Sequence, residues 1–375
     1  MRRRIGVFIA IIQSILLLSH WLVYETWTSF AGAGSTSHSN FALALALGLL
    51  SVSFVTASLL GMRFSNPLVR VFYAASATWL GFLIYFVLGS FACWAIDLVA
   101  RMAGIALDPR RLLYATFSLA VVVGLYGIVN ASWIRVTRIT IPLPNLPASW
   151  HGKVAALVSD LHLGNVRNRG FARRVSATLS RLRPDVVFIA GDLYDGAAAN
   201  LDRLAEPLGA PSFPLGAYYI AGNHEEFRDH TPYLKAVRGA GIRVLDDEKA
   251  VIDGLQVIGV HYRDSIEPHR FRSILRQANL DPERPSLLLT HAPNHLEIAE
   301  AEGIALELCG HTHAGQLFPF RWLPARLYGP YVYGLNRMGR LSVYTSSGVG
   351  TWGPPLRVGT RPEIVLIRFT SPEPA

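Results

Sequence analysis

The sequence predicts a mixed α/β sandwich preceded by a four-helix transmembrane region. Three observations carry this. The first third of the 375-residue chain holds four long apolar runs almost free of charge. From Lys153 onward, short apolar runs alternate with amphipathic stretches, the pattern of strands and helices in turn. Five of those apolar runs end in Asp, Asn or His.

The apolar runs cover 5–24, 41–62, 71–96 and 112–133, and each reaches the ~20 residues needed to cross a bilayer. Trp21, Tyr24, Trp27, Trp94, Tyr114 and Trp133 lie near their ends, where aromatic belts form. Residues 1–150 carry ten Lys/Arg against three Asp/Glu, and the remainder 25 against 23. The +9 net charge therefore belongs mainly to the membrane half, where arginines flank apolar runs; nucleic-acid binding is not expected. With the N-terminus inside, inner segments hold Arg2, Arg3, Arg4, Arg63, Arg70, Arg135 and Arg138, and outer loops hold Arg101, Arg110 and Arg111. This bias puts both termini on the cytoplasmic side of an inner or plasma membrane. The spans hold no buried acid–base chain of the kind that marks a transport pathway, so residues 1–134 read as a multi-pass anchor. Residues 135–150, with Pro142, Pro144 and Pro147, read as an extended linker.

The second domain is expected over 151–371. Val154 to Asp160, Val186 to Asp192, Ala217 to Asn223 and Ser286 to His291 read as buried strands, and 250–260 as a hairpin around Asp253-Gly254. A helix is expected over 168–183, with Phe171, Val175, Leu179 and Leu182 on one face, and another near 232–240. Ser342 to Ser346 and Glu363 to Phe369 complete the strands. Cys93 lies in an apolar run and Cys309 beside histidines, so no disulfide framework is expected.

Each polar cluster follows an apolar strand: Asp160-Leu-His162, Gly191-Asp192-Leu-Tyr-Asp195, Gly222-Asn223-His224-Glu225, His291-Ala-Pro and Gly310-His311-Thr-His313. Ligand sites in α/β sheets gather outside the carboxyl ends of strands. In an extended chain, residues two apart share a face, so His311 and His313 can enter one site together. A lone His-x-His pair is weak evidence for metal; five clusters aimed at one edge are much stronger.

This ordered set resembles the calcineurin-like metallophosphoesterases, and the tail Gly310-His-Thr-His-Ala-Gly-Gln316, Ser346 to Gly350 and Pro362-Glu-Ile is most similar to their membrane-associated phosphodiesterase branch. The resemblance covers roughly 151–370 and implies the family's αββα sandwich. It implies that Asp160, His162 and His313 bind one divalent ion, that Asn223, His291 and His311 bind a second, and that Asp192 bridges both. Carboxylate, amide and imidazole donors without thiolate suit Mn²⁺, Fe or Zn²⁺. A bridging hydroxide would attack phosphorus, with catalytic roles for Asp192 and for His224 as the non-ligating acid. Asp195 and Glu225 are expected to orient ligands, and Arg167 or Gln316 to meet substrate or support the site. His261, His269 and His295 read as structural or surface residues, and Cys309 as a buried small hydrophobe.

Leu317 to Pro324 is apolar for a loop; it packs on the sheet or meets the bilayer beside the site. The resulting expectation is a membrane-anchored phosphohydrolase for a phosphodiester or diphosphate, on a lipid-linked substrate such as a UDP-diacylglucosamine. The alternatives are a phosphodiesterase for soluble nucleotides and a non-catalytic membrane sensor that keeps the fold. Oligomeric state is not legible in these residues.

Overall fold

The computed structural model describes residues 2–32, 37–227 and 229–371. It divides into two compact units, Met1–Val129 with Gly353–Leu356, and Asn130–Trp352 with Arg357–Ala375.

The first unit is built from α1 (Arg2–Ala31), α2 (Ser37–Gly61), α3 (Pro67–Met102) and α4 (Pro109–Ser132). All four are long and apolar enough to cross a membrane. They extend the four expected runs at one or both ends. Large apolar side chains such as Phe8, Leu18, Leu49, Val71 and Val122 point outward and are exposed, as a lipid-facing surface requires. Several polar side chains turn inward and bond one another, because hydrocarbon offers no partners. His20 bonds the Leu16 carbonyl through Nδ1 at 2.7 Å, and its Nε2 accepts from Trp79 Nε1 at 2.8 Å. Trp94 Nε1 donates to Thr26 Oγ1 at 3.0 Å.

The second unit runs β1 (Arg135–Pro142), β2 (Val154–Val158), α5 (Arg169–Leu182), β3 (Val186–Ala190), α6 (Leu201–Gly209), β4 (Ala217–Ile220), α7 (Thr231–Gly239) and β5 (Arg243–Val244). It continues through β6 (Glu248–Ile252), β7 (Leu255–Gly259), α8 (Tyr262–Ser265), α9 (Pro268–Gln277), β8 (Ser286–Leu289), α10 (Leu296–Ala301) and β9 (Leu306–Cys309). It closes with α11 (Trp322–Tyr328), β10 (Gly334–Met338), β11 (Leu341–Thr345) and β12 (Glu363–Thr370). One sheet has the order β1-β12-β2-β3-β4-β5, the other β10-β11-β9-β8-β7-β6. Phe188, Leu157, Val257, Leu289 and Trp150 belong to the core between the sheets. Phe171, Val175 and Leu179 of α5 bury one stripe on the outer face of the first sheet, and α9 and α10 cover the second. The result is the expected αββα sandwich.

The segment expected as a linker departs from that reading. Residues 135–142 form β1, paired in parallel with β12 from Arg135↔Glu363 to Pro142↔Thr370. Ile139 and Ile141 face the inter-sheet core and Val136 the opposite side, and Pro142 falls where the strand ends, so its missing N–H costs no pairing. The boundary also shifts. The last turn of α4 belongs with the second unit, because Asn130 Nδ2 donates to the Arg357 and Thr360 carbonyls at 2.9 and 2.7 Å. The Glu363 carboxylate is wholly buried and accepts from Thr137 Oγ1 at 2.6 Å and from the Ser347 N–H at 3.0 Å.

Trp150 fills the inter-sheet core and donates Nε1 to the Asp253 carbonyl at 3.0 Å. Trp150→Ala is therefore expected to cost about 3–5 kcal/mol. Urea unfolding of the full chain in detergent, followed by circular dichroism, should show the midpoint fall; an unmoved midpoint would contradict this packing.

Candidate metal centre

The parallel strands β2, β3 and β4 of one sheet and β8 and β9 of the other release their loops toward one place. The loops after β2 and β3 stay paired beyond the strands. The Asp160 N–H donates to the Gly191 carbonyl at 3.1 Å, and the His162 N–H donates to the Asp192 carbonyl at 3.0 Å. The two sheets meet where the His311 N–H donates to the Asp160 carboxylate at 3.1 Å; within the second sheet the Gly310 N–H donates to the His291 carbonyl at 2.8 Å.

To turn this sharply the backbone leaves its ordinary regions. Asp160, His162, Asp192, His311 and His313 all adopt positive φ, between 48° and 70°. For residues with a Cβ this is costly and is concentrated at functional sites. Gly191 at φ 79° is required twice over, since a Cβ there would stand 2.6 Å from His291 Nδ1.

The donor atoms converge. His162 Nε2 and His313 Nε2 are 3.0 Å apart, and His313 Nε2 lies 3.5 Å from Asp160 Oδ1. His311 Nδ1 and His291 Nε2 are 3.1 Å apart, and His291 Nε2 is also 3.1 Å from Asn223 Oδ1 and from Asp192 Oδ2. Asp192 Oδ2 reaches the other group as well, 3.8 Å from His162 Nε2. Asp160, His162 and His313 thus form one trio, and Asp192, His291 and His311 another, each able to hold a metal ion. Buried nitrogen lone pairs aimed at each other suit a cation between them, and the chemistry of the donors fits two divalent ions. Burial, reinforced by neighbouring imidazoles, holds His162 and His313 well below the usual histidine range and His311 at about 3. They are neutral at physiological pH, the form that ligates metal.

The supporting residues divide by what they touch. Glu225, wholly buried, accepts the Asp192 and Gly222 N–H groups on Oε2 at 3.1 and 2.8 Å and the Tyr194 N–H on Oε1 at 2.8 Å. It ties the Asp192 loop to the Asn223 loop. The Asp195 carboxylate accepts the Asn165 and Ala197 N–H groups at 2.9 and 2.8 Å and shapes the loop after His162. His224 Nε2 lies 3.9 Å from Asp192 Oδ2, and its Nδ1 faces the Asp195 carbonyl at 3.1 Å. Gln316 brackets the backbone of Trp352, donating to its carbonyl and accepting its N–H, both at 2.9 Å. Arg167 is buried and occupied elsewhere: it donates to Thr351 Oγ1 and the Ala131 carbonyl, both at 3.2 Å, and lies over the Phe171 ring. His269 is exposed and His295 bonds the Ile266 carbonyl. His261 receives the Ala221 N–H, and Cys309 is fully buried.

Several neighbours have no signature in the sequence. The Tyr262 ring is 5.4 Å from His311, and Tyr328 is 6.0 Å from it. Phe227 and Trp352, both exposed, stand 4.6 and 6.2 Å from His224. Arg357 is fully buried and contacts His313. Its one signal is that it is the single charged residue between Arg340 and Arg361.

The calcineurin-like phosphoesterase family model matches residues 154–315. A Bos taurus "transmembrane protein with metallophosphoesterase domain" is 30% identical over 355 residues, covering 84% of this chain and 79% of the relative. An Aquifex aeolicus "uncharacterized metallophosphoesterase" is 33% identical over 255 residues, covering 66% of this chain and 97% of the relative. The chain belongs to the calcineurin-like phosphoesterase family. A Danio rerio protein with the same name as the bovine one is 35% identical over 265 residues, 66% of this chain, and the match spans 60% of that relative's length.

Glu225→Gln keeps the shape but turns one acceptor into a donor facing an N–H group. The expected result is a 10–100-fold loss of Mn²⁺ affinity, measured by titration calorimetry on the full chain. Unchanged affinity would show that the two loops hold without this carboxylate.

Proposed function

We propose that this protein is a membrane-anchored, metal-dependent phosphohydrolase that cleaves a phosphodiester or diphosphate bond of a lipid-linked substrate, of the UDP-diacylglucosamine kind. The observation that carries the hydrolytic reading is the pair of converging donor trios with Asp192 in reach of both. Asp160, His162 and His313 would hold one ion, and Asn223, His291 and His311 the other, with Asp192 shared. Two divalent ions at such a site supply Lewis-acid charge to the phosphoryl oxygens and lower the pKa of water. Mn²⁺, Fe and Zn²⁺ all suit these donors.

The chain's own groups do the rest. The Asp195 carbonyl holds the Nδ1–H of His224, so Nε2 is the atom that exchanges a proton with the leaving group. His224 also lies within reach of His162 and Asp192 as a possible third donor group. The proton-transfer role is favoured because its exposed neighbours Phe227 and Trp352 put it at the mouth of the site. Glu225 keeps Asp192 and Asn223 in register without touching substrate.

The lipid-linked reading is supported by the four apolar helices and by the stretch after His313. Phe318, Trp322, Leu323 and Leu327 are exposed, and no residue of α11 is buried. Of the two placements the sequence allowed, their exposure favours the bilayer, while Leu317 at the start of the stretch is buried. An apolar surface with Arg321 and Arg326 interspersed suits a lipid–water interface. Its last residue, Tyr328, is beside His311, so acyl chains held there would bring a headgroup to the site. The arginine bias favours the cytoplasmic face for this domain.

Full-length protein in detergent with Mn²⁺ should hydrolyse bis(p-nitrophenyl) phosphate, lose activity to chelator and regain it on adding Mn²⁺. His224→Ala should lower kcat about 10²–10⁴-fold. Absence of turnover, or an undiminished Asp192→Asn variant, would end the enzyme reading in favour of a sensor. Replacing Phe318, Trp322 and Leu327 with Asp should lower turnover of UDP-diacylglucosamine in mixed micelles by about tenfold relative to the soluble diester, the equivalent of roughly 1.4 kcal/mol. An unchanged ratio, or preference for soluble nucleotides, would count against a lipid substrate.

A further inference from the structure

The structure assigns Arg357, which no feature of the motif set marks, as the positioning residue that builds the Asp160–His162–His313 half of the metal centre. This rests on the two-ion reading above. The guanidinium is wholly buried. Nη2 lies 3.1 Å from His313 Nδ1 and donates to the Ser347, Gly348 and Gly350 carbonyls at 2.7, 3.3 and 2.8 Å. Nη1 donates to the His313 carbonyl at 3.3 Å, and Nε to the Gly350 carbonyl at 3.1 Å. Every partner is a carbonyl or an imidazole, and among the described residues no carboxylate forms an ion pair with it.

A buried guanidinium with no carboxylate in direct contact is costly to desolvate, and Asp160 and Glu363 act on it only from a distance. What the guanidinium achieves is geometric. The 347–350 loop turns its carbonyls toward Arg357 and its N–H groups toward the end of β2. The Val349 N–H donates to the Ser159 carbonyl at 2.9 Å, and the Gly350 N–H donates to the Asp160 carbonyl at 2.8 Å. Gly348, at φ 77°, packs so close that a Cβ would be 2.7 Å from the Asp160 Cβ. One planar fork of donors thus grips His313 through its backbone carbonyl and Asp160 through the loop. These two residues come from different sheets, and both sit at positive φ. Arg357 ties the two together, and among the described residues no buried guanidinium reaches the His291–His311 trio in this way.

The test is metal stoichiometry, read separately from turnover. Full-length protein in detergent is loaded with Mn²⁺, desalted and assayed by elemental analysis, with electron paramagnetic resonance reporting coupled Mn²⁺ pairs. Wild type should retain about two Mn²⁺ per chain with a coupled signal. Arg357→Ala should retain about one, uncoupled, and Arg357→Lys, which keeps the charge but not the fork, should bind its weaker ion at least about tenfold less tightly than wild type. Should Arg357→Ala fail to fold, as judged by circular dichroism, the lysine variant decides. Two tightly bound, coupled ions in a folded Arg357 variant would overturn the assignment and leave the two-ion reading intact. Fewer than about two in wild type would instead sink that reading and this inference with it.

Discussion

Asp192 is the constraint on which the centre depends. It stands at the end of β3 in one sheet, and its Oδ2 lies 3.1 Å from His291 on a loop of the other. Oδ1 meanwhile accepts the His224 N–H at 2.9 Å, so the same carboxylate fixes the loop that carries the proposed proton donor. Side chain and backbone are both committed: φ is 48°, and the N–H is held by Glu225. A carboxylate this buried is costly unless charge answers it. Burial opposes its ionised form, yet His291 and His224 hold it well below the usual carboxylate range. The whole cluster is arranged so that no single member is tolerable without the others.

The two units solve opposite solvation problems with the same chemistry. In the helical unit the apolar side chains face out, and His20, Trp79, Thr26 and Trp94 spend their polar atoms on one another. In the second unit the apolar side chains fill the space between sheets, and the polar ones are driven to the strand ends. Strand ends are where backbone pairing stops and loops need side-chain partners. That is why structural carboxylates such as Asp195 and Glu225 share so small a volume with metal-ligand candidates.

What the sequence disclosed follows from this. Asp160, Asp192, Asn223, His291 and His311 were legible because each ends a continuous apolar run, and an apolar run that ends in a polar residue is itself the signal. The sandwich was legible for the same reason. β1 was not, because three prolines within 142–147 spread a loop signal over the alternating residues before them. β10, with Asn336 and Arg337, and α6, with Pro207 inside it, lack the patterns that announce a strand or helix. Arg357 was invisible because its meaning lies in four carbonyls, which every residue owns. Arg167 misled in the opposite direction: it follows Asp-x-His closely, but its charge is turned into the protein.

The pairing of β1 with β12 also bears on how the molecule is made. Its registered partners are 228 residues apart, as in Arg135↔Glu363, and β12 ends at Thr370. During synthesis β1 leaves the ribosome directly after α4, whereas its partner strand follows only 228 residues later. Until then the nascent chain carries an open sheet edge, the kind of surface that invites misassembly. Long-range pairing of this sort is also slow to form. The four apolar helices therefore leave the ribosome before the first sheet can close, and the loop after β9, which brings His311 and His313, also follows them. The candidate metal centre thus draws on segments synthesised well after the apolar helices, and a polypeptide that stops before β9 lacks the His311 and His313 donors.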